Sequence, residues 1–323
     1  MIENPTSHSK IPSILCLEEN PQPPEWIKIL LEEGQRIDSF QKNDFQFEVI
    51  AAEPYFFISG TLKNRSRLND SEFPEAICGA YRELINLFKK YNKSPLRFWN
   101  YLPDIAKPTD DGFTQYELFN SGRFDGFRHW YGDGDFGDRL ITASCVGHRG
   151  KDFVLHTLLG PKEGQPFENP RQIPAYRYSD RYGTLPPCFS RANLLSEPLE
   201  IGNNSCIGII AGTASIVGED SVHKDDLNLQ LQETCINLGA VSAAMMNENY
   251  TWSKLTNLKE GNLKKALARY FEMRVYIRYE KDALEIESFF RRTFPNLKRL
   301  ELAIADICRV DLLLEAEGLI AVS

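Results

Sequence analysis

The segment NPRQIPAYRYSDRYGTLPPCFSRA, residues 169–192, gathers side chains suited to gripping an anion. It carries Arg171, Arg177, Arg181 and Arg191 among three tyrosines and four prolines. A guanidinium is a planar fork that binds a carboxylate through two hydrogen bonds and stacks on rings. A tyrosine adds a hydroxyl donor to a rigid apolar body. Arg171 and Arg191, with Tyr178 and Tyr182 between them, would suit a small, planar ligand bearing several negative charges. In the competing reading, the arginines are solvated and their stems pack on the tyrosines.

Two further stretches could supply chemistry. In ADICRVDLLLEAEGL, residues 305–319, strand alternation puts Glu315 and Glu317 on one face, opposite Leu314 and Ala316. A carboxylate buried there would have a raised pKa and exchange a proton near neutrality. The alternative is a solvated face, which is the expectation for Glu317. In AGTASIVG, residues 211–218, small residues interrupt a strand. They mark close approach by a ligand or another backbone, or else a bulge or tight packing. Thr213 and Ser215 would share a face as ligand contacts. Cys308 reads as a small buried hydrophobe, with no partner base for nucleophilic work.

These residues need a scaffold, and the order of elements suggests a duplicated one. YFFISGTL (55–62) is strand-like. Ile77, Tyr81, Leu84, Ile85 and Phe88 then recur at helical spacing behind an Asp/Ser cap. LRFWNYL is a strand, a second helix runs from about Phe113 to Arg128, and LITASCVG and DFVLHTLLG are adjacent strands. The second half repeats this order. CIGIIAGTASIVG is a strand, and a long helix opens at Asp225. MRVYIRY is a strand, KDALEIESFFRRTF an amphipathic helix, and RLELAIADIC and DLLLEAEGL close the chain as strands. The fold class is therefore α+β: two units with mixed sheets and helices packed on one face. We expect units at 1–160, including a loose N-terminal arm, and at 199–323. Residues 161–198 form a linker that lines the cleft between them. Its prolines exclude regular structure, while its aromatic rings argue for order. RFDGFRHWYGDGDFGDR (123–139) reads as a turn-rich surface connection, without the ligand spacing of a calcium loop.

Composition narrows the function. A net charge of −8 argues against nonspecific nucleic-acid binding. No apolar run approaches a membrane span, and the N-terminus lacks the pattern of a signal peptide. Seven widely spaced cysteines without a CxxC fit reduced thiols and a cytoplasmic location. The five histidines form no close pair, and no metal site is expected.

With ETCINL (233–238) behind AGTASIVG, the linker and the C-terminal motif resemble the chorismatases, chorismate-hydrolysing enzymes that include the 3-hydroxybenzoate synthases. The resemblance runs from about FWNYLP (98–103) to the C-terminus. It implies two YjgF/RidA-like units, chorismate as substrate, pyruvate as one product, and no cofactor. It implies that Glu315 is the catalytic glutamate and that Arg191 grips a carboxylate, with Arg278 a candidate for the second. Cys308 matches a product-determining position and is similar to the 3-hydroxybenzoate-forming branch. After TASIVG, where relatives carry a histidine and a small residue, this chain has Glu219 and Asp220. That departure leaves 4-hydroxybenzoate or a dihydroxycyclohexadiene carboxylate open as products. A non-catalytic binder of aromatic carboxylates and, last, a RidA-like imine hydrolase are the other readings. A monomer and a trimer both fit.

Overall fold

The computed structural model describes residues 14–17, 21–134, 136–199, 201, 207–248 and 261–322; residues 1–13 of the expected arm lie outside it. The first half contains β1 (Ile14–Cys16), α1 (Glu25–Leu30), β2 (Gln35–Lys42), β3 (Phe45–Ala52), β4 (Tyr55–Leu62) and α2 (Glu72–Tyr91). It continues with β5 (Ser94–Pro103), α3 (Gln115–Tyr131), β6 (Thr142–His148) and β7 (Phe153–Gly160). The second half has β8 (Gln165–Phe167), β9 (Ala192–Leu194), β10 (Ile207–Thr213), β11 (Ile216–Val217), β12 (Asp220–Ser221) and α4 (Leu227–Met245). It ends with α5 (Gly261–Leu267), β13 (Tyr270–Ile277), α6 (Ala283–Thr293), β14 (Arg299–Ile304) and β15 (Leu314–Ala321).

Among the described residues, the strands form two large mixed sheets, ordered β2-β3-β4-β7-β5-β6 and β1-β14-β13-β15-β10-β9-β8. The duplicated order of elements is a duplicated topology. β4-β7-β5-β6 and β10-β15-β13-β14 repeat one pattern, each with a parallel outer pair. The last two strands of each half are not neighbours, as their adjacency in sequence suggested. β5 inserts between β6 and β7, and β13 between β14 and β15.

Three apolar cores follow from this arrangement. Phe73, Ile77, Leu84 and Phe88 of α2 pack with α3 on the first sheet. Leu231, Leu238 and Val241 of α4 pack with α5 and α6 on the second. Between the sheets, Phe57, Trp99 and Tyr101 meet Ile209, Tyr276 and Leu319. The layers run helix, sheet, sheet, helix, with helices on one face of each sheet. The N-terminal segment reinforces this: β1 pairs with β14, and Arg274 donates to the carbonyls of Gln22 and Pro23.

Local chemistry sets the helix ends. The Asn69 side chain accepts from the backbone N–H groups of Ser71 and Glu72, so the cap of α2 is Asn69. Thr114 and Glu117 form a reciprocal capping box on α3. Asp226, not Asp225, caps α4 through Leu229 N–H; Asp225 takes a left-handed conformation at φ 59°.

The stretch 123–139 is a correction: its first nine residues belong to α3. Gly122 and Gly126 lie on the face against α2. A Cβ on Gly122 would overlap the Pro74 carbonyl, and one on Gly126 would lie 2.6 Å from Tyr81 Cβ. These glycines let two helices approach, where composition suggested turns. On an exposed helix, Gly→Ala is stabilising. Here Gly126→Ala should lower stability by about 1–3 kcal/mol in urea unfolding, because overpacking dominates. Unchanged or increased stability would show that α3 can move away freely.

Candidate active site

The cavity that matters holds about 400 Å³ and draws its walls from both sheets, the linker and the loop before β15. Glu315 lies in its wall, buried on β15 beside β10. Gly212 makes room for it, since a Cβ there would overlap Glu315 Oε1. Gly212 of AGTASIVG is therefore explained by close approach of the Glu315 carboxyl. Burial pushes the Glu315 carboxyl up to about 8; neighbouring Glu317 adds to the rise, while Arg97 and Arg191 oppose it. At neutral pH it holds its proton, so it has one to donate.

Three of the linker residues singled out from the sequence line the cavity. Arg191 is buried against the cavity and donates to the Tyr178 hydroxyl at 2.6 Å. Its guanidinium also lies 4.9 Å from the Phe189 ring centre. Tyr178 and Tyr182 line the same wall. The linker is ordered: β8 and β9 extend the second sheet, and short 3₁₀ turns at Ala175–Arg177 and Asp180–Tyr182 shape the strap between them.

Four expected contacts are placed elsewhere. Arg171 is tied to α4, donating to Asn237 Oδ1 at 2.9 Å and pairing with Glu233. Arg278 donates to the carbonyls of Arg309, at 3.0 Å, and Val310, fixing the loop before β15. Thr213 donates to the Ala211 carbonyl and Ser215 to the Val222 carbonyl. The register of β10 against β15 shifts between Ile210 and Thr213, and Gly212, Ala214 and Ile216 face the cavity instead.

Cys308 lines the cavity, its thiol pushed up to about 12 by burial, with Glu315 adding to the rise. Asp220 also lines it, yet its charge is matched by Arg181 at 3.0 Å. Glu219 points into the strap instead. It accepts from Ser179 N–H at 2.8 Å, Ser179 Oγ and Arg181, and these hydrogen bonds hold it down to about 2. The two extra acids thus latch the strap by sharing one guanidinium, Arg181, and the trio keeps one negative charge.

Two residues, Arg123 and Arg309, escaped the sequence reading, and a third, Glu317, was expected on a solvated face. Arg123, buried on α3, lines the cavity. Its Nε and Nη2 meet no hydrogen-bond partner among the described residues. It projects among Tyr81, Phe98 and Phe127, 5.3 Å from the Phe127 ring centre. Its spacing from Phe119 and Phe127 was a helical signal, masked by the surrounding glycines. Arg309 lies over the Tyr182 ring at 3.9 Å and donates to the Glu219 carbonyl at 2.6 Å. Glu317 is buried, not solvated: Arg97 Nη2 donates to it at 2.6 Å and Trp99 Nε1 at 2.8 Å.

The Glu315 environment has a thermodynamic sign. Its folded pKa, about 8, lies above the ordinary 4.5. The associated stability is complete below the unfolded value and is lost as pH rises through the folded one. Glu315→Gln should abolish that slope and stabilise the fold by on the order of 3 kcal/mol at pH 7. Denaturant melts at pH 5 and pH 8 test this; equal pH slopes in both proteins would refute it.

Residues 33–159 match the family description "Chorismatase FkbO/Hyg5-like, N-terminal". The chain is 28% identical over 274 residues to a 3-hydroxybenzoate synthase from Streptomyces hygroscopicus, covering 82% of this chain and 74% of that protein. It is 30% identical over 229 residues to a chorismatase from Streptomyces rapamycinicus, covering 70% of this chain and 63% of that protein. A chorismatase crystal structure superposes with a TM-score of 0.68 at 22% identity, over 89% of this chain and 80% of that one, showing the shared fold. By the matched family model and these relatives, the chain belongs to the chorismatase family.

Proposed function

We propose that this protein converts chorismate to 3-hydroxybenzoate and pyruvate, with Glu315 as the proton donor. The observation that carries the reading is a carboxyl protonated at neutral pH in a cavity that also holds Arg123 and Arg191. Chorismate is a cyclohexadiene bearing one carboxylate on the ring and one on an enolpyruvyl ether. Two buried guanidiniums among aromatic rings suit such a dianion.

The chemistry requires an acid. Pyruvate has a methyl group where the enolpyruvyl ether has a methylene, so that carbon must gain a proton. Glu315 supplies it, leaving positive charge at the ether carbon and negative charge on the carboxylate. The neighbouring ring hydroxyl then displaces the ether bond, whose electron pair completes the pyruvate carbonyl, and returns its proton to Glu315; the resulting ring epoxide opens and one ring hydrogen moves to oxygen as the ring becomes aromatic. 3-Hydroxybenzoate and pyruvate together contain the atoms of chorismate, with no water consumed. If water adds instead, the ring product is the dihydroxycyclohexadiene carboxylate. Cys308, beside Glu315 in the cavity wall, supports the 3-hydroxybenzoate branch through the family resemblance at that position. Positioning by the arginines lowers the entropic barrier.

The test is incubation with chorismate, chromatography of the ring product and coupled detection of pyruvate. The wild type should release pyruvate and 3-hydroxybenzoate in equal amounts. Glu315→Gln should lose at least about 10²-fold in kcat. An equally active Glu315→Gln would remove Glu315 from the proton-transfer role, and binding without pyruvate release would favour a non-catalytic aromatic-carboxylate binder.

Arg123 gives a separate expectation. Loss of one charge-assisted hydrogen bond weakens binding by about 1.5–3 kcal/mol. Arg123→Met should therefore raise KM for chorismate by about 10- to 100-fold. The variant should fold at least as well as the wild type, because an unpaired guanidinium is costly to bury. Steady-state kinetics and a thermal melt decide; an unchanged KM would remove Arg123 from the substrate clamp.

A further inference from the structure

Glu315 and Glu317 are one alternation apart on β15, about 7 Å along the strand and on the same face. Their surroundings are opposite. Glu317 Oε2 accepts from Arg97 Nη2 at 2.6 Å and from Ser144 Oγ at 2.8 Å. Its Oε1 accepts from Trp99 Nε1 at 2.8 Å and from the Tyr276 hydroxyl at 3.2 Å. A guanidinium and an indole N–H can only donate. The Ser144 hydroxyl itself accepts from Arg97 at 2.8 Å, which directs its own proton toward Glu317. Four donors converge on this one carboxylate. Glu315 accepts no hydrogen bond from any described residue, so nothing comparable stabilises its charge.

We propose that Glu317 is a positioning residue: an anion, fixed mainly by donors from the opposite sheet, whose charge adds to burial in keeping Glu315 in its acid form between turnovers. This rests on the reading of Glu315 as proton donor. The Arg97–Glu317 pair is almost wholly buried, with side-chain exposures of 1% and 4%. A buried pair of this kind is a poor source of net stability, and its placement beside the reacting carboxyl gives it a different use. A neutral carboxyl beside a charged carboxylate is a recurrent arrangement in acid catalysis at neutral pH.

Other groups act on Glu315 from every side. Arg97 on β5 and Arg191 on the linker favour its anion. Cys308 on the loop, Cys145 on β6 and Tyr116 on α3 are each held neutral by burial. Glu317 is the negative charge among them. Arg97 is engaged by Glu317, so removing the Glu317 charge also frees an unopposed guanidinium.

Infrared titration of the carboxylic C=O stretch, assigned to Glu315 by its absence in Glu315→Gln, reads this directly and needs no turnover. In Glu317→Gln the midpoint should fall by about one pH unit or more. The alkaline limb of kcat/KM for chorismate should move with it. The double variant Arg97→Gln/Glu317→Gln leaves no uncompensated buried charge, so it tests the idea if the single variant fails to fold. Its midpoint should also fall, by less. A midpoint unchanged or raised in the folded variants overturns the proposal, even if their melting temperatures drop. A fully active Glu315→Gln would overturn the proton-donor reading while the infrared midpoint still reports whether Glu317 acts on Glu315.

Discussion

The site depends on the burial of an acidic strand face between two sheets. β15 carries Glu315 and Glu317 into an interface otherwise filled by Trp99, Tyr101, Ile209 and Leu319. Burying a carboxylate is unfavourable unless it is neutralised or supplied with donors. The molecule uses one solution at each position. Glu315 keeps its proton; Glu317 keeps its charge and receives a guanidinium, an indole and two hydroxyls. Three of those four donors come from the first sheet, so the second unit's chemistry is not complete without the first. Duplication therefore supplies more than a second core: one copy holds the acid and the other holds the groups that set its surroundings.

The strap between the units follows similar logic. Six prolines between 161 and 187 prevent it from joining a sheet along its whole length. It is held instead by discrete contacts. Arg171 anchors it to α4, Glu219 grips Ser179 and Arg181, and Arg309 stacks on Tyr182. Only Arg191 of its four arginines combines burial with a place in the cavity wall. An arginine-rich segment near an anion site thus divides into clamps and fasteners. The fasteners are the residues whose charges meet nearby carboxylates before any ligand could.

Glycines serve approach at two places that matter for the site. Gly212 makes room for Glu315, and Gly122 with Gly126 brings α3 close to α2. The second contact sets the position of Arg123 and Tyr116, which α3 presents to the cavity. A packing feature on the outside of the first sheet therefore helps to place groups against a residue of the second.

Much of this was legible in the order of residues. Periodicity marked the strands and helices, and their repetition announced two units. The alternation in LLLEAEG put two carboxylates on one face, and the composition of the linker indicated an anion. What the sequence could not supply was the partner of each charge. Arg171 and Arg278 differ from Arg123 and Arg191 only in what lies within a few ångströms of them. The strand face chosen by Gly212 depends on a register shift, which local sequence does not encode. Glu317 pairs with Arg97 across 220 positions of chain. Alternation and spacing are properties of neighbours along the backbone and can be read there. Burial, hydrogen-bond partners and protonation are set by groups that meet only when the two sheets close, and those decided which acid is neutral and which arginines are free for a ligand.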